Sequence, residues 1–243
     1  MHETELWITK LFNDNLASLG NTLTGLAGMA PEARPWANFV TMQLLVAAII
    51  IVLFAFLRPR LSADHPGKLQ HTFELVYDFL REQAHDQVGH DSHRYLAYFG
   101  TLFIFILFCN LIGVIPGLES PTMTPSVPAG LAFATFFYYN TMGVLANGIL
   151  KYLAHFAGPM WWLAPLMIPI ELASHLARPL SLTIRLFANM YAGEQVTMVF
   201  LKLTFFLVPA VFMGLHIFVS FLQAYIFMLM TMMYVAAAVE HEH

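Results

Sequence analysis

Long stretches without a charged side chain alternate with short polar breaks along this chain, and their lengths predict its elements. The first stretch, Ala37–Leu57, is long enough as a helix to cross about 30 Å of hydrocarbon, and it stops at Arg58-Pro59-Arg60. Two more follow, Leu96–Leu118 with Asn110 inside it and Val127–Leu150, separated by the loop Glu119-Ser120-Pro121-Thr122. Between 58 and 94 the pattern changes. There Leu69, Phe73, Val76, Tyr77 and Leu80 recur at helical spacing while Lys68, Glu74, Asp78, Arg81 and Glu82 turn elsewhere. That pattern predicts an amphipathic helix over about 66–88, either interfacial or packed as a small soluble helix. Residues 1–35 are polar and mixed, with a weak stripe of Leu6, Leu11, Phe12 and Leu16 and an exit at Pro31 and Pro35.

The last third is different, because Leu203–Val239 runs without a charge and only Pro209 interrupts its start. One helix over 210–239 is about 45 Å long. Fitting it into about 30 Å needs a tilt of roughly 48°, past the usual range of about 0–40°. The expected fold is therefore an all-α polytopic membrane protein of about five membrane helices plus the interfacial helix, the last two helices long and strongly slanted. The expected spans are about 37–57, 96–118, 127–150, 163–202 and 210–239. They form one membrane domain, 36–243, after an external N-terminal segment, 1–35.

Composition sharpens this. The chain has 243 residues, 58% hydrophobic and 11% charged, against about 45–50% and 25% in soluble domains. A soluble enzyme, a disordered tail and a nucleic-acid module are excluded. From Tyr95 to Val239 the only acids are Glu119, Glu171 and Glu194, and the only bases Lys151, Arg178, Arg185 and Lys202. Cys109 stands alone, so no intrachain disulfide or cysteine metal cluster forms. The opening residues His2, Glu3 and Glu5 lack a signal-peptide pattern, and insertion is expected through the internal helices. The chain contains no GxxxxGK[ST], HExxH or GxSxG motif, hence no visible equipment for binding ATP or cleaving a bond by itself. His85, Asp86, His90, Asp91 and His93, and the tail His241-Glu242-His243, read as solvated stretches, so neither a metal nor a cofactor is expected. The basic edges at Arg58, Arg60, Arg94 and Lys151 mark cytoplasmic ends, which puts the Glu119 loop and the N-terminus outside and the C-terminus in the cytoplasm.

Glu171, Arg178 and Arg185 are spaced by seven, and Asn189 follows Arg185 by four, so a helix continuing through Pro179 gathers them on one face. Glu194 lies about 180° round that helix. On the final helix His216, Ser220 and Gln223 form one stripe. Taken singly, Asn189, Ser220 and Gln223 read as interhelical hydrogen-bonding residues, His216 as a satisfied polar residue, and Arg178 as an interfacial side chain that snorkels. Arg185 resists that reading. Its neighbours Ile184, Leu186 and Phe187 are apolar, and an arginine at mid-membrane costs about 2.5–3.5 kcal/mol on insertion scales. The bland alternative for it is a structural ion pair with Glu171 or Glu194. Guanidinium keeps its proton, so Arg185 can hold a fixed positive potential but cannot carry protons, whereas Glu171, Glu194 and His216 can titrate. A fixed cation between titratable groups on opposite faces is a barrier between two half-pathways. The mobile carboxylate such a barrier needs must then come from another chain.

The run Arg178-Pro179-Leu180-Ser181-Leu182-Thr183-Ile184-Arg185-Leu186-Phe187-Ala188-Asn189-Met190-Tyr191-Ala192-Gly193-Glu194 resembles subunit a of the rotary (F-type) ATP synthase membrane sector, bacterial type. Phe221-Leu222-Gln223-Ala224-Tyr225-Ile226-Phe227, Asn110-Leu111-Ile112-Gly113-Val114-Ile115-Pro116-Gly117 and Lys151-Tyr152-Leu153 extend the likeness. It runs from about Tyr95 to the C-terminus, with Ala188 replacing the glycine of many relatives. The resemblance implies that Arg185 is the essential stator arginine facing the carboxylates of a c-ring. It also implies a proton pathway through Glu194, His216, Gln223, Asn189 and Glu171. The implied partners are the c-ring, the peripheral-stalk b subunits, the rest of the ATP synthase complex and membrane lipid, in a bacterial inner membrane. The competing class is a stand-alone ion-coupled secondary transporter, which predicts an internal repeat; no second copy of the Arg178–Glu194 pattern occurs. An intramembrane protease would use Ser181 and His216, but no supporting motif surrounds Ser181.

Overall fold

The structure, a computed structural model, describes residues 5–26, 28, 30–62, 67–115, 117–149, 152, 164–203 and 207–239. Lys151, Leu153 and the 241–243 tail lie outside the described residues. Within them the chain is all-helical: α1 (Trp7–Leu26), α2 (Asn38–Leu57), α3 (Lys68–Val88), α4 (Leu96–Leu111), α5 (Ser126–Asn147), α6 (Ala164–Leu203) and α7 (Leu207–Val239). On length and apolarity alone, Asn38–Arg60, Leu96–Val114 and Ala210–Val239 suffice to cross a membrane. Helix α5 has the length, but Tyr138, Tyr139, Asn140 and Thr141 dilute its apolarity, and α6 carries Glu171, Arg178, Arg185, Glu194 and Lys202.

The core is built where α4, α5, α6 and α7 meet. Phe99 and Ile106 of α4, Tyr139 of α5, Leu186 and Met190 of α6, and Phe227, Met228 and Met232 of α7 are all but fully buried in one cluster. Gly143 permits the close approach of α5 to α7: a Cβ there would lie 2.9 Å from the Ala238 carbonyl oxygen and 2.6 Å from the Tyr152 ring. Helix α3 packs its Leu80 and Ala84 onto this cluster, and the Tyr225 hydroxyl donates to Gln83 Oε1 at 3.0 Å. A smaller cluster, Val46, Cys109 and Ile112, joins α2 to α4. Outward faces of the long helices stay apolar, including Ile51 and Val52 on α2, Phe137 on α5 and Leu176, Leu180 and Ile184 on α6.

At 40 residues, α6 is about 60 Å long. It continues through both Pro169 and Pro179. Pro179 has no N–H to donate to the carbonyl of His175, one turn back, and Thr183 Oγ1 donates to the Pro179 carbonyl at 2.8 Å. Membrane helices tolerate proline when neighbouring groups satisfy the freed backbone, although the Thr183 bond serves the Pro179 carbonyl and not that of His175.

The N-terminal segment is more ordered than its weak apolar stripe suggests. Helix α1 covers most of it, kinked at Leu16 (φ −124°). Its anchors are polar. Thr9 Oγ1 lies 2.7 Å from Thr41 Oγ1, and the Leu6 N–H donates to Asn38 Oδ1 at 3.2 Å. Asn13 both accepts from the Trp36 N–H (3.0 Å) and donates to its carbonyl (3.1 Å); Asn21 makes the same two-way clamp on Glu32. Arg34 pairs with Glu5. Hydrophobic periodicity is blind to anchors of this kind.

Candidate functional site

The polar residues of α6 fall into two clusters on either side of Arg185. With a rise of 1.5 Å per residue, Glu194 is about 13 Å from Arg185 along the axis and Glu171 about 21 Å in the other direction. Arg185 itself is half-buried, between the buried Leu182 and Leu186 and beside the exposed Ile184. Among the described residues it makes no ion pair: Glu171 is taken up elsewhere, and Glu194 does not reach it. The structural ion pair that the sequence left open for Arg185 is therefore absent.

One turn beyond Arg185, Asn189 donates to Gln223 Oε1 across the α6–α7 seam at 2.8 Å. Gln223, Ser220 and His216 then continue along α7, all buried. His216 rests on the one position of α6 without a side chain nearby, since a Cβ on Gly193 would sit 3.3 Å from His216 Nδ1. Four buried polar atoms on this seam have no hydrogen-bond partner among the described residues: Gln223 Nε2, Ser220 Oγ, His216 Nε2 and Glu194 Oε2. Each such atom ordinarily costs about 1–3 kcal/mol, and native proteins hold few of them. Four together on a single seam mark it as a polar track.

A buried polar wall backs the track, and the sequence reading passed over most of it. Asn110 of α4, fully buried, donates to the Ser220 carbonyl at 3.3 Å and accepts from Thr122 Oγ1 at 2.7 Å. Thr122 lies 2.7 Å from Ser120, whose hydroxyl donates to the Cys109 carbonyl at 2.8 Å. Next to it Glu119 accepts from Asn38 Nδ2 at 3.5 Å. The short-range clue was present in Ser120 and Thr122 flanking a proline, but such residues in a loop are ordinarily turn formers.

The second cluster surrounds Glu171. Its Oε1 lies 3.5 Å from His175 Nε2 and 3.9 Å from the Arg178 guanidinium. The Tyr139 hydroxyl is 3.1 Å from His175 Nδ1. The sequence reads Arg178 as an interfacial side chain, and in the fold it is partly buried. Its guanidinium is turned inward over the rings of Tyr139 (5.8 Å) and Tyr234 (5.2 Å), because two aromatic faces and a carboxylate together satisfy it. His175, Tyr139 and Tyr234 were missed from sequence. His175 stands four residues after Glu171 and three before Arg178, the spacing of one helix face, which was the available signal.

A helical chain with apolar spans and an arginine that lacks a counter-ion among the described residues, set between two polar clusters, has the layout expected of a protein that moves ions past a fixed charge. The sequence pattern defining the ATP synthase A chain family matches residues 40–236. ATP synthase subunit a of Solibacter usitatus (strain Ellin6076) is 80% identical over 96% of this chain and all of that protein. Subunit a of Koribacter versatilis (strain Ellin345) is 45% identical over 98% of each chain, and subunit a 1 of Syntrophotalea carbinolica 44% identical over 84% of this chain and 86% of that one. The chain belongs to the ATP synthase A chain family. That membership gives the stand-alone transporter reading no support.

Proposed function

We propose that this chain is the stator channel subunit of the ATP synthase membrane sector, with two offset half-channels that deliver protons to, and take them from, carboxylates on a rotating c-ring. The observation that carries the reading is Arg185: half-buried, without a counter-ion among the described residues, and set between polar groups about 35 Å apart along one helix. A charge so placed, beside the exposed apolar residues Leu180 and Ile184, suits an acidic group arriving from a neighbouring chain. The peripheral-stalk b subunits would be further neighbours in the complex.

The steps follow from what each group can do. A proton enters from outside along the Glu194–His216–Ser220–Gln223 seam, where unpartnered polar atoms favour water. It neutralises a ring carboxylate, and the neutral carboxyl can face lipid at far lower cost than the anion. After nearly a full turn the carboxyl reaches the Arg185 guanidinium, which favours its charged form, and the released proton leaves past Glu171 to the cytoplasm. Arg185 keeps its own proton throughout, so it repels any proton attempting the direct route between half-channels. Each charge crossing releases about 2.3 kcal/mol per 100 mV. Asn189 and Gln223 hold the α6–α7 seam beside the arginine. The N-terminus is external and the C-terminus cytoplasmic, in a bacterial inner membrane.

The test compares inverted membrane vesicles carrying Arg185→Ala with wild type, for ATP-driven acidification and for passive proton leak. Loss of pumping in an assembled complex supports the stator role, and added leak supports the barrier. Normal pumping would remove Arg185 from the mechanism.

A further inference from the structure

We infer that His175 is a proton-relay residue of the cytoplasmic half-channel, handing protons from the Tyr139 side to Glu171. This rests on the stator reading above and extends it to a residue outside the pathway expected from sequence.

The geometry is that of an oriented imidazole. His175 is 7% exposed and both ring nitrogens have polar neighbours. Nδ1 lies 3.1 Å from the Tyr139 hydroxyl, and Nε2 faces Glu171 Oε1 at 3.5 Å. A carboxylate can only accept, so Nε2 carries the hydrogen and Nδ1 takes the lone pair, with the tyrosine hydroxyl as donor. The ring thus has an inlet and an outlet on different elements, one on α5 and one on α6. Glu171, a third exposed, is the outermost of the three. Arg178 approaches the same Oε1 at 3.9 Å while lying over the Tyr139 and Tyr234 rings, so a single cation borders both ends of the relay. Along α6, His175 is about 15 Å from Arg185 and about 6 Å short of Glu171, in line between the arginine and the exposed carboxylate.

The transfer balances as follows. A proton arriving from the Arg185 side goes to the buried Tyr139 oxygen as the tyrosine's own hydrogen passes to Nδ1, giving a neutral phenol and an imidazolium. The imidazolium releases its Nε2 hydrogen to Glu171 Oε1, which discharges to cytoplasmic water. The ring is left with its hydrogen on Nδ1, and it regains the starting tautomer when water gives a proton to Nε2 and takes the one on Nδ1, one gained for one lost. The net result is one proton moved to the cytoplasm, with every side chain restored once that exchange is complete.

The test reads ATP hydrolysis by the whole complex in protonophore-treated inverted vesicles, where turnover needs proton passage but no gradient opposes it. Variants are His175→Gln, which keeps polar contacts but cannot be protonated, His175→Ala, and Tyr139→Phe, which keeps the ring packed. Turnover is expected to fall about tenfold in His175→Gln, less than the hundredfold or more typical of a lost proton-transfer group because water offers a bypass. His175→Ala should be similarly slow and be accelerated several-fold by millimolar imidazole, to which wild type does not respond; Tyr139→Phe should slow turnover without imidazole rescue. Wild-type turnover in His175→Gln beside an inactive Arg185→Ala would overturn the relay and leave the stator reading standing. Unimpaired, coupled turnover in Arg185→Ala would instead sink the stator reading. A slow His175→Ala that imidazole does not accelerate would make His175 a packing residue and overturn the relay.

Discussion

Gly193 carries no side chain, yet it decides where an imidazole sits. His216 Nδ1 occupies the space 3.3 Å from where its Cβ would be, so Gly193→Ala asks the ring to shift by a few tenths of an ångström and Gly193→Val by much more. Proton pumping by Gly193→Ala should fall a few-fold, and by Gly193→Val far more, with assembly retained in both. Equal rates across the series, measured in vesicles, would show that the position of His216 does not matter. Across the same seam, the 2.8 Å bond from Asn189 to Gln223 should appear as a coupling of about 0.5–3 kcal/mol in a double-mutant cycle on thermal stability. Residues of this kind were legible in the chain only when they broke an apolar run. Arg185, Glu194 and Glu171 did so; His175 and Tyr139 did not stand out, because a histidine between two charged neighbours and a tyrosine among Phe136, Phe137 and Tyr138 look ordinary until α5 and α6 are laid side by side.

Helices were legible in proportion to how apolar their burial is. The uncharged run Ala37–Leu57 corresponds to α2, and the stripe from Leu69 to Leu80 to α3, because lipid and core both select for hydrophobic periodicity. Helix α1 was read as a mixed segment since Thr9, Asn13 and Asn21, its fastening points, are the residues a hydrophobic count discards. Replacing Asn13 with Ala removes both halves of one clamp and should destabilise α1 by about 1–3 kcal/mol. Amide exchange confined to 7–26 would then rise while α4 and α7 stay protected; unchanged exchange would mean the clamp holds nothing. The α5–α7 contact has its own weak point. At Gly143 a larger side chain meets backbone as well as the Tyr152 ring, so Gly143→Val should lower stability by about 1–3 kcal/mol and loosen Tyr139, which lies one turn away.

The layout of the whole molecule sets charged groups against apolar surface in a definite order: Glu119 with its polar wall at one end, Arg185 in the middle, and Glu171, His175 and Arg178 at the other. At 40 and 33 residues, α6 and α7 exceed a simple crossing, and a slant of the two would let this sequence of groups cross a layer thinner than the helices are long. Length alone pointed to the slant; the pairing of α6 with α7 and α5 needed the folded chain, because no local pattern encodes which long helix lies against which. Sidedness can be read with engineered thiols: Ser62→Cys should react with an impermeant maleimide only from the cytoplasmic face and Pro125→Cys only from the outside. Reaction of both from one side would reverse or refute the proposed orientation. The chain is already suited to that experiment. Its single native thiol, Cys109, is sealed between α2 and α4 with no exposed surface, so reagents applied to intact membranes should leave wild type unlabelled. Every label then reports the position that was introduced, and the parent sequence serves as its own silent background.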